Sequence, residues 1–536
     1  MDTLVVGIDA ACRPVLDPLF EDGTVPTIER VVESGTDGAL ESQVPPWTAS
    51  AWPSLYTGKN PGKHGIYDFI TFEGYDWRVV SATDLREPPL WQLLDDQGCS
   101  SVVVNAPVTA PVRPFDGALV PGYMAPADPD CHPKGLLDDI RAAIGAYSVY
   151  PEHTGETVPI DEAREAYRRL TSMRGEAFRY LADRFDPDFG FLQFQQTDTL
   201  FHEYPDEPGL IRDVYAAVDS EMEQVLTDCS PDTVFLVSDH GMGPYEGYEV
   251  RPNEILRQEG YVSTTRSGTG MPTWSTVRDS QLTAGDEDTE PTASAVERAM
   301  ATLSTVGLTS QRLGRVCRAL GIEETVRDLV PSSVVHAGTE RVDFAGSDAY
   351  VRSRVELGVR INLDGRDPEG TVSQGEYEGL RQSLIGLLES LEAPDGTPVF
   401  EEVTRREQYF HGPAADEAVD IVTVPNEFDQ FISATVGTEP FGEPSEPWNH
   451  KRNGIIAATG EGIDTGVTPD TAHLFDVAPT VLATMGVPRD DRMDGRVLPF
   501  ATPVGEAQYD PRKETDVEAT EDAVVQERLS DLGYLE

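Results

Sequence analysis

The stretch "TVFLVSDHG", residues 233–241, indicates the fold. It is a short apolar run that ends on Asp239, His240 and Gly241, as buried parallel strands do where they lead into a loop. Runs of the same kind are "TLVVGID" (3–9), "SSVVVNAP" (100–107) and "FGFLQFQQ" (189–196). Helical patterns separate these runs: "PPLWQLLDDQG" (88–98), "IDEAREAYRRLTSMRGEAFRYLADRF" (160–185) and "LIRDVYAAVDSEMEQVL" (210–226). This alternation predicts an α/β fold with a central, mainly parallel sheet covered on both faces.

Four regions follow from the pattern along the chain. Residues 1–245 are predicted to be the first part of an α/β core, and 246–350 an inserted cap of loop and short helices, since 263–294 is polar and lacks periodicity. Residues 351–505 are the second part of the core. They carry the strand patterns "LGVRINL", "DIVTVP" and "NGIIAAT" and the helical patterns "EYEGLRQSLIGLLESL" and "TAHLFDVAPTVLATMGV". Residues 506–536 form an acidic helical tail.

The charge of the chain is strongly negative. Forty-one basic and 94 acidic side chains give a net charge of −53, and the acidic excess is spread along the whole sequence. Basic residues are almost all arginine, because the only lysines are Lys59, Lys63, Lys134, Lys451 and Lys513. We interpret this as a surface adapted to high salt, where the Debye length is only about 3 Å at 1 M. Such a surface argues against nucleic-acid binding.

The location is predicted to be cytoplasmic. No apolar run approaches the roughly 18 residues that span a membrane, and no secretory signal precedes the first strand pattern. The five cysteines contain no CxxC pair, which predicts isolated thiols. The oligomeric state is left open.

Acidic and imidazole groups follow several of the predicted strands. In a parallel sheet these strand ends share one edge, where ligands bind. The candidate metal ligands are Asp9, Asp198, His202, Asp239, His240 and His450. Oxygen and nitrogen ligands without cysteine suit Zn²⁺, Mn²⁺ or Fe. Six ligands fit two ions about 4 Å apart, the arrangement that clamps both oxygens in phosphoryl transfer.

Thr48 stands out within "PPWTASAWPSLYTGKNPGKHGIYDF", residues 45–69. It lies between a rigid Pro-Pro-Trp segment and a predicted helix start. The hydroxyl could cap the helix, or it could be a nucleophile. Lys59, Asn60 and Lys63 could contact phosphate, but we interpret the lysines as surface residues.

These stretches resemble the alkaline phosphatase superfamily, specifically its type I phosphodiesterase/nucleotide pyrophosphatase branch. The resemblance rests on the segments around Asp9, Thr48, Asp198 and His240 and extends to "NHKRNGIIAATGEGI" and "FDVAPTVLATMGVPRDDRMDGRVL". It implies an alkaline-phosphatase-like three-layer sandwich.

The resemblance also implies roles for the candidate residues. Thr48 would be the nucleophile. One metal would be held by Asp9, Asp239, His240 and the Thr48 oxygen, and the other by Asp198, His202 and His450. Two divalent ions are expected, with Zn²⁺ favoured over Mn²⁺ or Fe. Ala51 departs from the asparagine with which nucleotide pyrophosphatases help hold the phosphoryl oxygen.

The function expected on these grounds is metal-dependent hydrolysis of small phosphate esters, of phosphodiester or pyrophosphate type, through a phospho-threonine intermediate. The alternatives are a phosphomonoesterase, a sulfatase or a phosphotransferase of the same superfamily. Thr48 argues against a sulfatase, which normally uses a modified Cys or Ser. A non-catalytic, metal-containing binding protein is the alternative from another class.

Overall fold

The computed structural model describes residues 1–151, 158–265, 340–437 and 439–512, together with 525, 526 and 529. Its largest feature is an eight-stranded sheet. We label its strands in chain order: β1 (Thr3–Ile8), β2 (Thr36–Glu41), β3 (Ser101–Ala106), β4 (Gly117–Pro121), β5 (Phe189–Phe194), β6 (Thr233–Val237), β7 (Asn453–Gly460) and β8 (Ala472–His473). The order across the sheet is β8-β2-β7-β6-β1-β5-β3-β4. Only β7 runs opposite to its neighbours, so the prediction of a mainly parallel sheet is confirmed.

The described helices pack against this sheet, against one another or, for the two at Pro252–Gln258 and Tyr377–Glu389, against a smaller sheet. They are α1 (Arg13–Glu21), α2 (Pro26–Ser34), α3 (Thr48–Thr57), α4 (Pro61–His64), α5 (Leu90–Asp95), α6 (Leu136–Ile144), α7 (Ile160–Phe185), α8 (Gln196–Glu203), α9 (Pro208–Cys229), α10 (Pro252–Gln258), α11 (Tyr377–Glu389) and α12 (Val477–Thr484). Short 3₁₀ turns lie at Arg406–Gln408, Ala415–Glu417, Asn426–Phe428 and Leu474–Asp476. None of the described helices is both long and apolar enough to cross a lipid bilayer.

The central sheet has an apolar core on each face. Along β1, Leu4, Val6 and Ile8 belong to a buried cluster that includes side chains of α1, α2, α7 and α9. Val5 points to the other face and belongs to a second cluster with side chains of α3, α5 and α12. Successive side chains of a strand alternate between faces, so a strand that is apolar throughout must be covered on both. The result is a three-layer arrangement.

A smaller antiparallel sheet lies between β6 and β7 in the chain. Its strands are, in spatial order, Ala349–Tyr350, Gly358–Ile361, Ile421–Pro425 and Phe400–Arg405. Helix α11 contacts the last of these strands. Among the described residues, the chain leaves the central sheet after β6 and next joins it at Asn453.

Short strands complete the described structure. Two-stranded pairs join Ile70–Glu73 to Asp76–Val79, Gly241–Pro244 to Trp448–Lys451, Thr264–Thr265 to Arg341–Val342, and Arg489–Asp490 to Glu506–Ala507. A three-stranded group contains Phe431–Ile432, Glu249–Val250 and Phe441–Gly442. Most of the predicted cap at 246–350, and most of the predicted tail at 506–536, lie outside the described residues.

The segment 471–487 differs from its helical prediction. Ala472 and His473 form β8, and α12 begins only at Val477. The His473 ring accepts a bond from the Phe475 amide, and the Asp476 carboxylate accepts one from the His473 amide. These two local bonds form a capping box that closes the preceding turn and sets where the helix can begin.

Candidate active site

The first group of candidate ligands lies at the ends of two neighbouring strands. Asp9 directly follows β1, and Asp239 and His240 follow β6. These strands pair in parallel, with Gly7 opposite Val237, so their ends meet at one edge of the sheet. The His240 Nε2 atom lies 3.2 Å from Asp239 Oδ2 and 3.5 Å from Asp9 Oδ1. All three side chains are fully buried.

The second group joins the next strand to a distant segment. Helix α8 follows β5, which pairs with β1 on its other side, and carries Asp198 and His202 four residues apart on one face. His450 comes from the short strand Trp448–Lys451. Asp198 Oδ1 lies 3.4 Å from His202 Nε2 and 3.2 Å from His450 Nε2. Each group thus offers three ligand atoms within 4.8 Å of one another.

The two groups adjoin each other. The strand of His450 pairs with Gly241–Pro244, which follows His240 directly, and this pairing places His450 opposite Met242. The His240 and His450 rings stack with their centroids 3.6 Å apart. All six candidate ligands therefore form one contiguous, buried cluster. In the described part of the chain, no cysteine belongs to either group.

Thr48 is the first residue of α3 and is buried beside the first group. Its Oγ1 atom lies 3.3 Å from His240 Nε2. Trp47 occupies the cap position and makes no side-chain cap bond. Thr48 is thus placed at the ligand groups rather than at the cap. The positive end of the α3 dipole lies at the same point and favours an anion there.

Burial controls the electrostatics of the first group. Burial raises the pKa values of the Asp9 and Asp239 carboxyls well above the usual range for aspartate, and neighbouring carboxylates add to this effect. Burial likewise lowers the pKa of His240, with a further contribution from His450. A cation would relieve the repulsion between these carboxylates, which no described lysine or arginine contacts.

The pKa shifts in the second group have a different pattern, because an aspartate there lies between two imidazoles. Burial opposes ionisation of Asp198, but the imidazoles of His202 and His450 hold its pKa below the usual range. The pKa of His202 is raised, because attraction to Asp198 outweighs the effect of burial. Burial lowers the pKa of His450.

The donor set fits divalent cations. Within the described residues, Asp9 Oδ1, Asp198 Oδ1 and both oxygens of Asp239 are buried without a hydrogen-bond donor. His240 Nδ1 lies 3.0 Å from the Gly241 carbonyl and His450 Nδ1 lies 2.9 Å from the Pro46 carbonyl. A backbone bond at Nδ1 leaves the Nε2 lone pair for a metal. Burying such oxygens is costly unless a cation compensates them.

Lys59, in the loop after α3, does not lie on the surface, where we expected the lysines of this segment to be. Lys59 is fully buried, and its Nζ lies 2.6 Å from Glu87 Oε2 and 2.7 Å from Asp490 Oδ2. The surface interpretation is therefore wrong for this residue, because two carboxylates satisfy a lysine that burial alone would disfavour.

The neighbours of Lys59 are also engaged in internal contacts. Asn60 donates to Asp494 Oδ2 at 2.9 Å and accepts from the Gly62 amide, and Lys63 pairs with Asp494. These contacts tie the loop after α3 to the segment around 490–494. Ala51 is fully buried in α3 and offers no polar side-chain group.

Residues that the sequence did not single out bond to Asp9. Its Oδ2 atom accepts bonds from Trp52 Nε1 at 3.0 Å and from Gln193 Nε2 at 2.8 Å. Gln193 is a lone polar residue inside the apolar strand β5, which is the one signal that could have marked it.

A closed set of hydrogen bonds fixes the buried face of α3. The Ile66 amide donates to His64 Nδ1 at 3.2 Å, and His64 Nε2 lies 2.8 Å from Ser54 Oγ. Ser54 donates to Gln43, the Gln43 amide donates to Ser50, and Ser50 donates to the Ile66 carbonyl at 2.9 Å. The bonds begin and end on the backbone of one residue, so each side chain has one favourable orientation.

Comparison with known proteins bears on this site. Residues 3–318 match the sequence model of the family described as type I phosphodiesterase / nucleotide pyrophosphatase. Among curated proteins, none is significantly similar to the chain in sequence.

Solved structures share the fold. Phosphonoacetate hydrolase from Sinorhizobium meliloti 1021, in complex with phosphonoformate, is 16% identical, with a TM-score of 0.51 over 89% of this chain and 94% of that one. Wild-type alkaline phosphatase PafA is 14% identical, with a TM-score of 0.52 over 93% of this chain and 98% of that one. These similarities confirm the predicted alkaline-phosphatase-like architecture.

Proposed function

The chain belongs to the type I phosphodiesterase/nucleotide pyrophosphatase family and is a phosphoric ester hydrolase, and we propose that it cleaves phosphodiester or pyrophosphate bonds with Thr48 as nucleophile. The observation that carries this proposal is the position of Thr48 Oγ1, 3.3 Å from His240 Nε2 and next to two adjoining ligand groups. A threonine that served only to cap or pack the helix would not need to lie beside these carboxylates and imidazoles.

Two divalent cations complete the proposed site. Asp9, Asp239, His240 and the Thr48 oxygen would hold one ion, and Asp198, His202 and His450 would hold the other. We propose Zn²⁺ for both, with Mn²⁺ or Fe as alternatives, because the ligands are imidazole nitrogens and carboxylate oxygens. Bound in this way, the ions would supply positive charge that lowers the pKa of the Thr48 hydroxyl and stabilises the attacking and leaving oxygens.

The protein groups set the geometry of the reaction. Helix α3 holds Thr48 with its hydroxyl 3.3 Å from His240 Nε2, and in the proposed reaction Oγ1 attacks phosphorus in line with the leaving oxygen. A phosphoester bond to Thr48 forms as the bond to the leaving oxygen breaks. The first turn of α3 favours negative charge on the phosphoryl oxygens. Water then cleaves the phospho-threonine ester and restores the hydroxyl.

Substitution of Thr48 tests this proposal. Hydrolysis of bis-p-nitrophenyl phosphate, p-nitrophenyl phosphate and p-nitrophenyl sulfate would be compared in high salt with added Zn²⁺ or Mn²⁺. We expect the diester to be preferred and Thr48→Ala to abolish its turnover. Thr57→Ala is the matched control, because it removes another buried hydroxyl from α3, one that bonds to the Pro53 carbonyl. Full activity of Thr48→Ala would overturn the nucleophile assignment.

The other outcomes separate the alternatives. Preference for the monoester or the sulfate would leave the site in place but change the substrate class. A different acceptor in place of water would indicate a phosphotransferase. Metal binding without turnover of any ester would favour a binding protein.

We also propose that the protein works in the cytoplasm of a cell with high internal salt. The net charge of −53 and the scarcity of lysine support the salt requirement. Of the described lysines, Lys59 is buried, Lys63 and Lys451 pair with aspartates, and only Lys134 is exposed. Thermal unfolding in 0.1 M and 3 M KCl tests the salt requirement, with a higher unfolding temperature expected at 3 M. An equal temperature at both concentrations would contradict it.

A further inference from the structure

We propose that Gln193 and Trp52 are positioning residues that fix Asp9 with one carboxylate oxygen bonded to protein and the other free for a divalent cation. The inference rests on the proposed metal-dependent function and assigns a role to two residues outside the ligand groups. It is carried by the hydrogen bonds around Asp9, by the orientation of the Gln193 amide, and by the space that Gly7 leaves.

The two carboxylate oxygens of Asp9 have different surroundings. Oδ2 accepts bonds from Trp52 Nε1 at 3.0 Å and Gln193 Nε2 at 2.8 Å. Oδ1 is buried without a donor among the described residues and faces His240 Nε2 at 3.5 Å. The Asp9 backbone is also fixed, since its carbonyl accepts a bond from Thr197 Oγ1 at 2.7 Å. The carboxylate therefore cannot rotate without breaking two bonds.

A second hydrogen bond fixes the orientation of the Gln193 amide. Asn105 Nδ2 donates to Gln193 Oε1 at 2.6 Å and to the Gln193 carbonyl at 3.1 Å. With Oε1 engaged as an acceptor, the amino end of the Gln193 amide must face Asp9. The chain Asn105–Gln193–Asp9 thus runs from β3 through β5 to the end of β1.

The sequence leaves space for this arrangement at Gly7. A Cβ atom at that position would lie 2.4 Å from Trp52 Cη2 and 3.2 Å from Gln193 Cγ. Any larger residue would move the indole or the amide away from Asp9. Gly7 is otherwise a poor choice for the middle of a buried strand, because glycine weakens strands.

The chemistry of the two donors suits a metal ligand. Both are neutral, so they orient Asp9 without neutralising its charge, whereas a lysine or arginine would compete with the cation. Groups that hold metal ligands in this way typically change metal affinity by about 10- to 100-fold when they are substituted.

The test measures Zn²⁺ affinity in a background that isolates the first ligand group. His202→Ala would weaken the second group, and the Zn²⁺ dissociation constant would be measured by competition with a chromogenic chelator. Gln193→Met and Trp52→Phe would be added singly, since each removes a donor and keeps most of the side-chain volume. Trp91→Phe is the matched control, because Trp91 packs on the same Phe191 ring as Trp52 and does not bond to Asp9.

We expect Gln193→Met and Trp52→Phe each to weaken Zn²⁺ binding at least about tenfold, while Trp91→Phe leaves it unchanged. Circular dichroism would verify that each variant is folded, and either variant alone suffices for the comparison. Unchanged affinity in both would overturn the inference, as would an equal loss in Trp91→Phe. If the parent itself bound no Zn²⁺, the proposed metal site would fall and the inference with it.

Discussion

The imidazole rings of His240 and His450 stack with centroids 3.6 Å apart and planes inclined by 17°. Each ring bonds to a backbone carbonyl through Nδ1 and presents Nε2 to a different set of carboxylates. The stack is therefore the point where the two ligand groups meet. The strand pairing of Trp448–Lys451 with Gly241–Pro244 holds the rings in this position.

Replacing His450 with alanine should weaken metal binding by the second ligand group and leave the first group intact. A metal supplies several kcal/mol of charge stabilisation, and about 1.4 kcal/mol corresponds to a tenfold change in rate. We expect diester hydrolysis to fall at least about 100-fold and bound metal, measured by atomic emission, to fall by one ion per chain. His411→Ala, at an exposed histidine, is the control and should retain both. Wild-type activity in His450→Ala would exclude it as a ligand.

Removal of metal should reduce stability as well as activity. Ligands that bind only the folded state stabilise it, by about 4 kcal/mol at a thousandfold excess over the dissociation constant. Dialysis against a chelator should therefore lower the unfolding temperature measured by calorimetry and abolish hydrolysis, and Zn²⁺ should restore both. A chelated protein with unchanged unfolding temperature and activity would contradict the two-ion site.

Lys59 should contribute strongly to stability. Lys59→Met would remove the buried cation between Glu87 and Asp490 and leave them one basic partner among the described residues, Arg492, which lies 3.0 Å from Glu87 Oε2 and 2.7 Å from Asp490 Oδ2. Removing one member of a buried ion pair typically costs about 3–5 kcal/mol when the other charge is left uncompensated. Because Arg492 still compensates both carboxylates, we expect a loss at the lower end, about 3 kcal/mol. Denaturant unfolding in high salt would measure this change. Lys134→Met, at an exposed lysine, should have no measurable effect, and a similarly small effect at Lys59 would show that its ion pairs are dispensable.

His64 should make folding sensitive to mild acid. Burial lowers its pKa from 6.5 to about 3. The unfolded chain therefore binds a proton more readily than the folded one, and the stabilisation is present above pH 6.5 and lost as pH falls towards 3. The loss should approach about 1.4 kcal/mol per pH unit.

The matched variant for this prediction is His64→Gln, which cannot titrate. The free energy of unfolding would be measured between pH 7 and 5, where most carboxylates of the unfolded chain stay ionised. The wild-type protein should lose stability more steeply than the variant. Parallel curves would show that His64 does not titrate on unfolding.

Features that depend on local sequence could be predicted. The strands β1, β3, β5 and β6 are continuous apolar runs, and Asp9 and Asp239 are candidate ligands because they follow two of those runs. The family assignment was also predicted from these motifs and is confirmed. The strands β2 and β4 were missed, because "TDGALE" and "GALVP" are short and contain glycine, which is depleted in strands.

Features that depend on distant partners could not be predicted in the same way. Lysine is rarely buried, so the sequence predicts a surface position for Lys59. No residue near it in sequence indicates that its partner would be Asp490, 431 positions away. The bond from Gln193 to Asp9 joins residues 184 positions apart. Such contacts follow from the register of the sheet, which periodicity along the chain does not specify.

The late position of His450 has a consequence for biosynthesis. A chain still emerging from the ribosome folds what has already been made, and until Trp448–Lys451 is synthesised the second ligand group has only Asp198 and His202. A nascent chain that stops before residue 448 would already carry Thr48 and the complete first group. Under the proposed two-ion mechanism, full phosphoryl-transfer activity would therefore arise only after most of the chain has been translated.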